Sequence, residues 1–457
     1  MSASVKRVDM CNGPIFPSVV KYTIPIILTG LLQLLFNAAD LMVVGWFCGS
    51  NSVGAVGATG SLVSLIVNFF IGMSSGVSVI AANSIGARNK DGTSRIVHTA
   101  VFLGIIVGAF LTVAGLILST PLLILMDTPS ELLHLSSVYT KIYFCGMIPN
   151  FGFNFCAAIL RAAGDTKTPM KYLSLAGVVN VVLNIVFVTA FKMDVAGVAL
   201  ATVLSQLMSF ILVLRALAVR DDEVKLDIKQ LKIHLEPFKK IITIGLPAGL
   251  QSSIFAFSNV IIQSSVNSFG AAAVAGNAAA ANLEGFVYVA MNAFYQTSLN
   301  FTGQNIGAAK PQRVKKSLVM CLMCAATVGL ILGTVFSLLS PQLLSFYIKD
   351  SQESIMYGIT RMSIICQFYF LCGIMEALVG SLRGMGASLT SLIISVVGVC
   401  GVRLGWIFTV FRIPQFHTLD SLYFSYLISW TACIIVQIIA FTIIYKKISK
   451  KVFKKEL

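Results

Sequence analysis

Long apolar stretches alternate with short polar ones along almost the whole chain. A transmembrane helix needs about 20 mainly apolar residues to cross roughly 30 Å of hydrocarbon. Windows of at least that length lie at about residues 17–46, 53–82, 95–119, 131–160, 168–191, 194–218, 241–268, 271–302, 315–340, 352–382, 388–412 and 420–445. The pattern therefore predicts an all-α membrane protein with twelve transmembrane helices.

Composition and charge placement agree with this prediction. Hydrophobic residues make up 57% of the chain and charged residues 11%, whereas soluble domains are about one quarter charged. The net charge of +15 comes from basic residues in alternate loops, such as Arg88 and Lys90, Arg161 and Lys167, and Arg383. This distribution favours orientation by the positive-inside rule over nucleic-acid binding. We therefore expect a multi-pass protein of the cell (inner or plasma) membrane with both termini cytoplasmic.

The two halves of the chain repeat each other. Residues 84–88 (Ser-Ile-Gly-Ala-Arg) correspond to 305–309 (Asn-Ile-Gly-Ala-Ala), an offset of 306 − 85 = 221. Residues 160–164 correspond to 382–386, with the arginines offset by 383 − 161 = 222. Pro25 and Pro247 have the same offset of 222.

The repeat sets the expected domain organisation. It predicts an N-terminal six-helix lobe at 1–220, a cytoplasmic linker at 221–240 and a C-terminal six-helix lobe at 241–457. Because each half has an even number of spans, the repeats are parallel, related by an axis along the membrane normal. Transporters use such pairs for alternating access around a central site, which favours transport over catalysis.

Several motifs give the chain a family resemblance. They are Gln33–Asp40 in the first window, Ile85–Ala87, Leu160–Thr166, and Asn180 with Asn184 in the fifth window. This pattern resembles the MATE (multidrug and toxic compound extrusion) family, and most closely its prokaryotic branch related to the DNA-damage-inducible transporters. The resemblance implies two six-helix lobes in a V shape, and efflux of amphiphilic, often cationic compounds coupled to Na⁺ or H⁺. It also implies that Asp40, Asn180 and Thr202 belong to a first-lobe cation site, whereas many relatives carry an acid in place of Asn184.

The residues themselves point to a coupling site around Asp40. An ionised aspartate at membrane depth costs about 3 kcal/mol on insertion scales, so it requires compensation. Gln33, Asn37 and Asp40 share one helix face, as do Asn180 and Asn184, and Thr202 and Gln206 lie at similar depth. A carboxylate with neutral oxygens suits either Na⁺ or a carboxyl that cycles between protonated and charged forms. The alternative for Asn37 and Gln206 is an ordinary interhelical hydrogen bond; Gln33 and Gln206 are also candidates for substrate binding.

The second half offers a different candidate site. Glu284, Tyr288 and Met291 follow one helix face, and an acid with aromatic and thioether neighbours suits varied organic cations. The alternative for Tyr288 and Met291 is packing. Glu376 pairs with Arg403, or Arg403 pairs with Glu284, and either pairing would be structural. Pro25 is a hinge or a static kink in the first helix.

These observations together predict a secondary antiporter that exports amphiphilic or cationic organic compounds. The ten cysteines and four histidines show no metal or redox spacing, and no catalytic or ATP-binding motif is present, so we expect no enzyme activity, metal or cofactor. The expected partners are the bilayer and a small organic substrate, not nucleic acid, and the protein is expected to act as a monomer. The single carboxylate favours H⁺ over Na⁺ as coupling ion. The alternative function is a flippase of a lipid-linked precursor, which would need cationic side chains such as Lys141, Arg361 and Arg403.

Overall fold

The computed structural model describes residues 7–349 and 351–456, and the expected domain limits at residues 1 and 457 lie outside that range. The described residues form helices joined by short turns and irregular segments. This confirms the predicted all-α fold of two lobes, and solved structures of the same fold are described below.

Seven α-helices form in the described residues of the first half. They are α1 (Ile15–Phe47), α2 (Ser50–Gly86), α3 (Lys90–Leu125), α4 (Ser130–Cys145), α5 (Met147–Ala162), α6 (Lys167–Ile185) and α7 (Asp194–Ala218). α4 and α5 meet at a bend of 46° and are long and apolar enough to cross a membrane only when taken together. α6 continues through a π-helical turn at Val186–Ala190. With that bent pair counted as one span, the described residues of the first half supply six candidate spans.

The described residues of the second half repeat this arrangement with more interruptions. Their helices are α8 (Leu235–Asn267), α9 (Ala271–Gly307), α10 (Pro311–Leu338), α11 (Ser340–Tyr347), α12 (Gln352–Arg361), α13 (Tyr369–Gly384), α14 (Ser388–Ser395), α15 (Val402–Phe408) and α16 (Leu419–Glu456). α12 is extended by a π-helical segment at Met362–Cys366, and it meets α13 at a second bend, of 47°. A π-helical segment at Val396–Gly401 joins α14 to α15.

Most of the predicted spans are helices of sufficient length and hydropathy to cross a membrane. In the described part of the chain, nine helices are long and apolar enough to cross a membrane, and eleven spans result if each bent pair is counted once. α9 is the remaining predicted span. It has 37 residues, but Glu284 and several amide side chains interrupt its apolar run.

The repeat predicted from sequence is present in the backbone. Gly49 and Gly270 precede α2 and α9 with the same φ of 92°, and both helices are 37 residues long. Gly164 and Gly386, in the repeated turn, have φ of 84° and 82°. A side chain at such positive φ meets the backbone, so glycine is favoured at these corners. The same turn conformations at the same offset confirm the internal duplication.

The described residues fall into two compact units whose limits also follow the repeat. One unit holds residues 28–249 with 7–8, and the other holds 9–27 with 250–456. The two breaks are 249 − 27 = 222 residues apart and each follows a proline, Pro25 or Pro247, by two residues. The first helix of each half is thus divided between the units. The lobe boundaries at residues 220 and 241, expected from the sequence, stay a prediction.

Within the first unit, the segment after α7 is held by charged side chains. Arg220 donates to Asp165 at 2.9 Å and to Asp222 at 2.8 Å, and both Arg220 and Asp165 are buried. Arg7 pairs with Asp222 and with Glu223. Breaking a buried, hydrogen-bonded pair is costly because one charge stays uncompensated. The chain leaving the first six spans is therefore fixed against the α5–α6 turn.

The repeat predicts which loops share a membrane face. In a background without the native cysteines, Asp91→Cys and Gln312→Cys occupy equivalent exposed positions at the starts of α3 and α10. We expect a membrane-impermeant maleimide to label both from the cytoplasmic side of oriented vesicles. The exposed control Glu131→Cys, one span further, should be labelled from the opposite side. Labelling of positions 91 and 312 from opposite sides would contradict the parallel repeat.

Candidate functional site

Three helices of the first unit bring a group of polar side chains to Asp40. α1 carries Asp40, α6 carries Asn180 and Asn184, and α7 carries Thr202. The Asn184 amide nitrogen donates to Asp40 Oδ1 at 2.5 Å, and the Thr202 hydroxyl donates to Asp40 Oδ2 at 3.4 Å. Asn180 Nδ2 donates to Thr202 Oγ1, and Asn184 Nδ2 is 3.4 Å from Asn180 Oδ1. We call Asp40, Asn180, Asn184 and Thr202 the Asp40 cluster.

A close helix contact sets the register of the Asp40 cluster. The ring of Phe36 lies directly against Gly177, where a β-carbon would clash with the ring. Asp40 follows Phe36 by four residues, and Asn180 and Asn184 follow Gly177 by three and seven. These spacings keep all three polar residues on the faces that α1 and α6 turn toward each other. The local sequence therefore places the carboxylate beside the two amides.

The Asp40 carboxyl group is compensated by neutral donors alone. It forms no ion pair with any of the described residues, and its two oxygens accept from one amide and one hydroxyl. Asn184 is fully buried, and its own Oδ1 has no hydrogen-bond partner. An unpaired buried acceptor is costly. The cluster thus has an unused acceptor next to a carboxyl group.

This arrangement can accommodate two forms of the carboxyl group. With Asp40 ionised, the amide nitrogen of Asn184 faces it, as observed. With Asp40 protonated, rotation of the same amide would let Oδ1 accept the carboxyl O–H. Oxygens of Asp40, Asn184 and Thr202 also suit a hard monovalent cation. Among the described residues, no group of three or more His, Cys, Asp or Glu side chains is arranged to hold a metal ion.

The remaining first-lobe candidates lie outside the Asp40 cluster. Asn37 and Gln33 are on an exposed face of α1 and make no side-chain hydrogen bond among the described residues. Gln206 is half-buried on α7 and hydrogen-bonds Tyr143 of α4. The structure therefore does not bring Asn37 into the hydrogen-bonded group with Asp40.

Two tyrosines near Asp40 are absent from the sequence-based candidates. Tyr139 and Tyr143 stack on α4 with ring centroids 6.2 Å apart, and both interact electrostatically with Asp40. The only signal in the sequence is their spacing of four residues within an apolar span, which places them on one helix face. The stacked pair thus lies within electrostatic range of Asp40.

Glu284 in the second unit is held in a buried salt bridge. Arg361 of α12 donates from Nε and a terminal nitrogen to the two Glu284 oxygens, each at 2.8 Å. Its other terminal nitrogen donates to Asn277 Oδ1 at 2.7 Å, and the Tyr423 hydroxyl donates to the same oxygen at 3.2 Å. This bidentate geometry is the strongest form of carboxylate–guanidinium pairing. The sequence analysis considered Arg403 as the partner of Glu284 and did not consider Arg361.

Arg403 is compensated in another way. Its guanidinium lies 3.8 Å from the Tyr426 ring centroid and 5.7 Å from that of Trp430, and its Nε donates to Ser429 at 3.0 Å. Cation–π contacts of this kind stabilise desolvated arginine. Neither expected pairing of Arg403, with Glu376 or with Glu284, is among the ion pairs of the described residues.

The two other second-lobe candidates have different environments. Met291 is fully buried, and its sulfur packs against Gly329 of α10 and Gly373 of α13. Tyr288, by contrast, is 41% exposed. This placement favours packing for Met291, while Tyr288 can contact a ligand.

Comparisons with known proteins agree with this architecture. The family model MatE matches residues 25–186 and 247–408, two segments offset by 247 − 25 = 222. A probable multidrug resistance protein, YpnP of Bacillus subtilis, is 28% identical over 401 residues, covering 87% of this chain and 89% of that protein. An FAD transporter of Shewanella oneidensis is 25% identical over 360 residues, 76% and 77% of the two chains. The solved structure of an outward-facing multidrug resistance MATE family transporter of the MOP superfamily superposes with a TM-score of 0.91 at 22% identity, covering 98% of this chain and 100% of that one.

Because Glu284 and Arg361 are paired, we expect a single substitution to lower the stability of the protein much more than the double substitution does. Glu284→Gln leaves a buried guanidinium without its carboxylate and should destabilise the protein by about 3–5 kcal/mol. Glu284→Gln combined with Arg361→Met should recover most of that loss, as measured by thermal unfolding in detergent. The exposed pair of Glu236 and Lys240 is the control, because Glu236→Gln should cost less than about 1 kcal/mol. An equal loss of stability on Glu284→Gln and on Glu236→Gln would refute the structural role of Glu284.

Proposed function

Since the chain belongs to the MATE family of membrane transporters, we propose that it exports amphiphilic organic cations in exchange for protons by alternating access. Secondary-active export of drugs and toxins is the activity of this family, and the protein is a transporter and not an enzyme. The relatives named as multidrug resistance proteins, which the chain matches over most of its length, support this class of substrate.

The observation that carries the proposal is the environment of Asp40. The acid at Asp40 lies inside a membrane span and is compensated only by an amide and a hydroxyl. Its ionised form therefore has a high free energy and its neutral form a low one. A small change in its surroundings therefore changes which form is stable. Such a group is suited to bind a proton on one side of the membrane and release it on the other.

Proton binding at Asp40 has a direct structural consequence. When the carboxyl gains a proton, its O–H becomes a donor, and the amide of Asn184 must present Oδ1 in place of Nδ2. This change alters the contact between α1 and α6. We place the hinge for the response at Pro25, because α1 passes from one compact unit to the other two residues later.

The donor set favours H⁺ over Na⁺ as the coupling ion. Na⁺ binding gains most from several anionic or carbonyl oxygens, and the Asp40 cluster offers one carboxylate. Asn184 supplies a neutral amide where many relatives have a second acid. A proton requires only the carboxyl group and one acceptor, and the unpaired Oδ1 of Asn184 provides that acceptor.

The flippase alternative is not favoured by the cationic side chains. A lipid-linked pyrophosphate requires free positive charges inside the protein. Arg361 is bound to Glu284, Arg403 is covered by aromatic rings, and Lys141 is on an exposed face of α4. Neither buried arginine is therefore free to bind an anionic headgroup, and Lys141 alone is a single charge.

We further propose that the protein works as a monomer in the plasma (inner) membrane with both termini in the cytoplasm. The basic residues concentrated in alternate loops support this orientation. The lobes at 1–220 and 241–457, joined by the linker at 221–240, are the proposed moving parts. Tyr288, with its exposed ring, is the proposed substrate contact of the second lobe.

Asp40→Asn tests the coupling role. The substitution keeps the shape of the side chain and removes the titratable group, so gradient-driven extrusion of ethidium from a pump-deficient host should fall to background. Membrane insertion and expression should be unchanged. Asp127→Asn, in an exposed loop of the same half, is the matched control and should transport normally. Undiminished efflux by Asp40→Asn would remove the basis of the proposal.

The coupling ion is tested in proteoliposomes with one imposed gradient at a time. Vesicles with an acidic lumen and equal Na⁺ on both sides should accumulate ethidium, because protons leaving the lumen drive the cation inward. A Na⁺ gradient at equal pH should give no accumulation above the Asp40→Asn background. The reverse outcome, accumulation with the Na⁺ gradient and none with the pH gradient, would reject the proton assignment.

A further inference from the structure

His98, near the start of α3, is a buried histidine with both ring nitrogens engaged. It is 3% exposed. Nδ1 lies 2.6 Å from the carbonyl oxygen of Ser94, and Nε2 accepts the backbone N–H of Asp227 at 3.1 Å. A carbonyl oxygen can only accept a hydrogen bond, so Nδ1 carries the ring hydrogen and Nε2 carries none. The two partners therefore select the neutral imidazole in one tautomer.

The bond to Asp227 fixes one end of a linker segment on α3. This segment, residues 227–234, contains a short 3₁₀ turn, and we call it the strap. At its other end the backbone N–H of His234 donates to the Thr99 hydroxyl at 3.1 Å. His98 and Thr99, which are adjacent on α3 and both buried, thus bind the two ends of the strap.

Hydrogen bonds, more than packing, hold the strap in place. Ile228 and Ile233 are 63% and 39% exposed, and Leu231 is the one apolar side chain of the strap that packs against the buried apolar cluster around α3. Just before the strap, by contrast, Val224 and Leu226 are members of that cluster. Segments with few buried apolar contacts open locally at a low free-energy cost. The strap can therefore detach while the chain on its N-terminal side stays packed.

The acidic groups near His98 are bonded elsewhere. The charged and titratable groups at this corner are Arg95 of α3, Asp227, Lys232 and His234 of the strap, and Glu236 of α8. The apolar cluster that packs on α3 from α2, α5, α6 and α7 has Cys156 and Tyr172 as its titratable members among the described residues. The Asp227 carboxylate accepts from the Lys229 backbone and the Gln230 side chain, and Glu236 pairs with Lys240 at 2.7 Å. An imidazolium at position 98 would thus gain no carboxylate in the docked arrangement.

We propose that His98 is a pH-sensitive clasp that holds the strap on α3 when the imidazole is neutral and releases it when the imidazole is protonated. Histidine is the side chain that commonly changes charge between about pH 5 and 8. A proton from bulk water adds to Nε2 and forms an N–H bond there, so the acceptor of the Asp227 N–H becomes a donor. Two donors then face each other, and the hydrogen bond between them is lost.

Release of the strap also lowers the free energy of the charged ring. A buried imidazolium without a carboxylate is costly, and an open strap lets water reach it. Protonation and release therefore favour each other, as do the neutral ring and docking. Because the strap immediately precedes α8, the clasp links the pH on the cytoplasmic side of the proposed topology to the mobility of the connection between the two halves of the chain. This device goes beyond the proposed exchange at Asp40 and does not depend on it.

Hydrogen–deuterium exchange of the full-length protein in nanodiscs tests the clasp at the Asp227 amide, resolved by mass spectrometry with electron-transfer fragmentation. The Leu226 amide, which donates to the Leu217 carbonyl at 3.1 Å, is the reference in the same molecule, because the chemical rate of exchange varies with pH in the same way for both amides. The ratio of Asp227 to Leu226 exchange should rise roughly tenfold between about pH 8 and about pH 5, the change expected for loss of one hydrogen bond. A ratio independent of pH would overturn the proposal.

Matched variants identify the group that titrates. His98→Gln keeps an acceptor near the position of Nε2 and takes up no proton, so the exchange ratio should stay low at every pH. His98→Phe keeps a planar ring without an acceptor, so the ratio should be high at every pH. His234→Gln removes the other imidazole of this corner and should behave as the wild type does. A rise of the ratio with acid in His98→Gln, a low ratio in His98→Phe, or loss of the rise in His234→Gln would refute the assignment to His98.

Discussion

The cost of placing charge in hydrocarbon governs the interior of this protein. A charged side chain at membrane depth costs several kcal/mol unless it is paired, solvated or neutralised, and the few charged residues in the spans meet this constraint differently. Glu284 and Arg361 neutralise each other through two short hydrogen bonds. Arg403 lies against aromatic rings. Asp40 has neutral donors, and Glu376 has none among the described residues. Among the described residues, this order runs from complete compensation at Glu284 to none at Glu376.

The duplicated chain uses one backbone plan for two chemistries. The turns are equivalent, as the matching φ values of Gly164 and Gly386 show, because their geometry depends on the backbone. Inside the lobes the equivalent positions have diverged. Ile262, at 262 − 40 = 222 residues from Asp40, is a buried core residue. Arg361, at 361 − 139 = 222 from Tyr139, forms the salt bridge of the second unit. Duplication therefore conserved what shapes the helices and left the interior polar groups free to change.

Features that belong to one helix could be predicted from the sequence, and features that depend on packing could not. Apolar windows, the repeat and the common face of Asn180 and Asn184 follow from composition and helical periodicity. Convergence of these amides with Asp40 was expected from their similar depth, and in the structure Asn184 hydrogen-bonds both Asp40 and Asn180. The Glu284–Arg361 pair was not found, because its members are 77 residues apart and several cations lay at comparable depth. The π-helical segments and the 46° and 47° bends depend on local hydrogen bonding that hydropathy does not report.

Comparison of the two buried glutamates of the second unit shows why residue type and burial do not define a site. Glu284 and Glu376 are exposed by 5% and 8% and lie on adjacent helices. An incoming organic cation cannot replace Arg361 at Glu284, since it would have to break two charge-assisted hydrogen bonds and leave the guanidinium uncompensated. The difference lies in Arg361, which makes Glu284 part of the framework, whereas no described basic side chain forms an ion pair with Glu376.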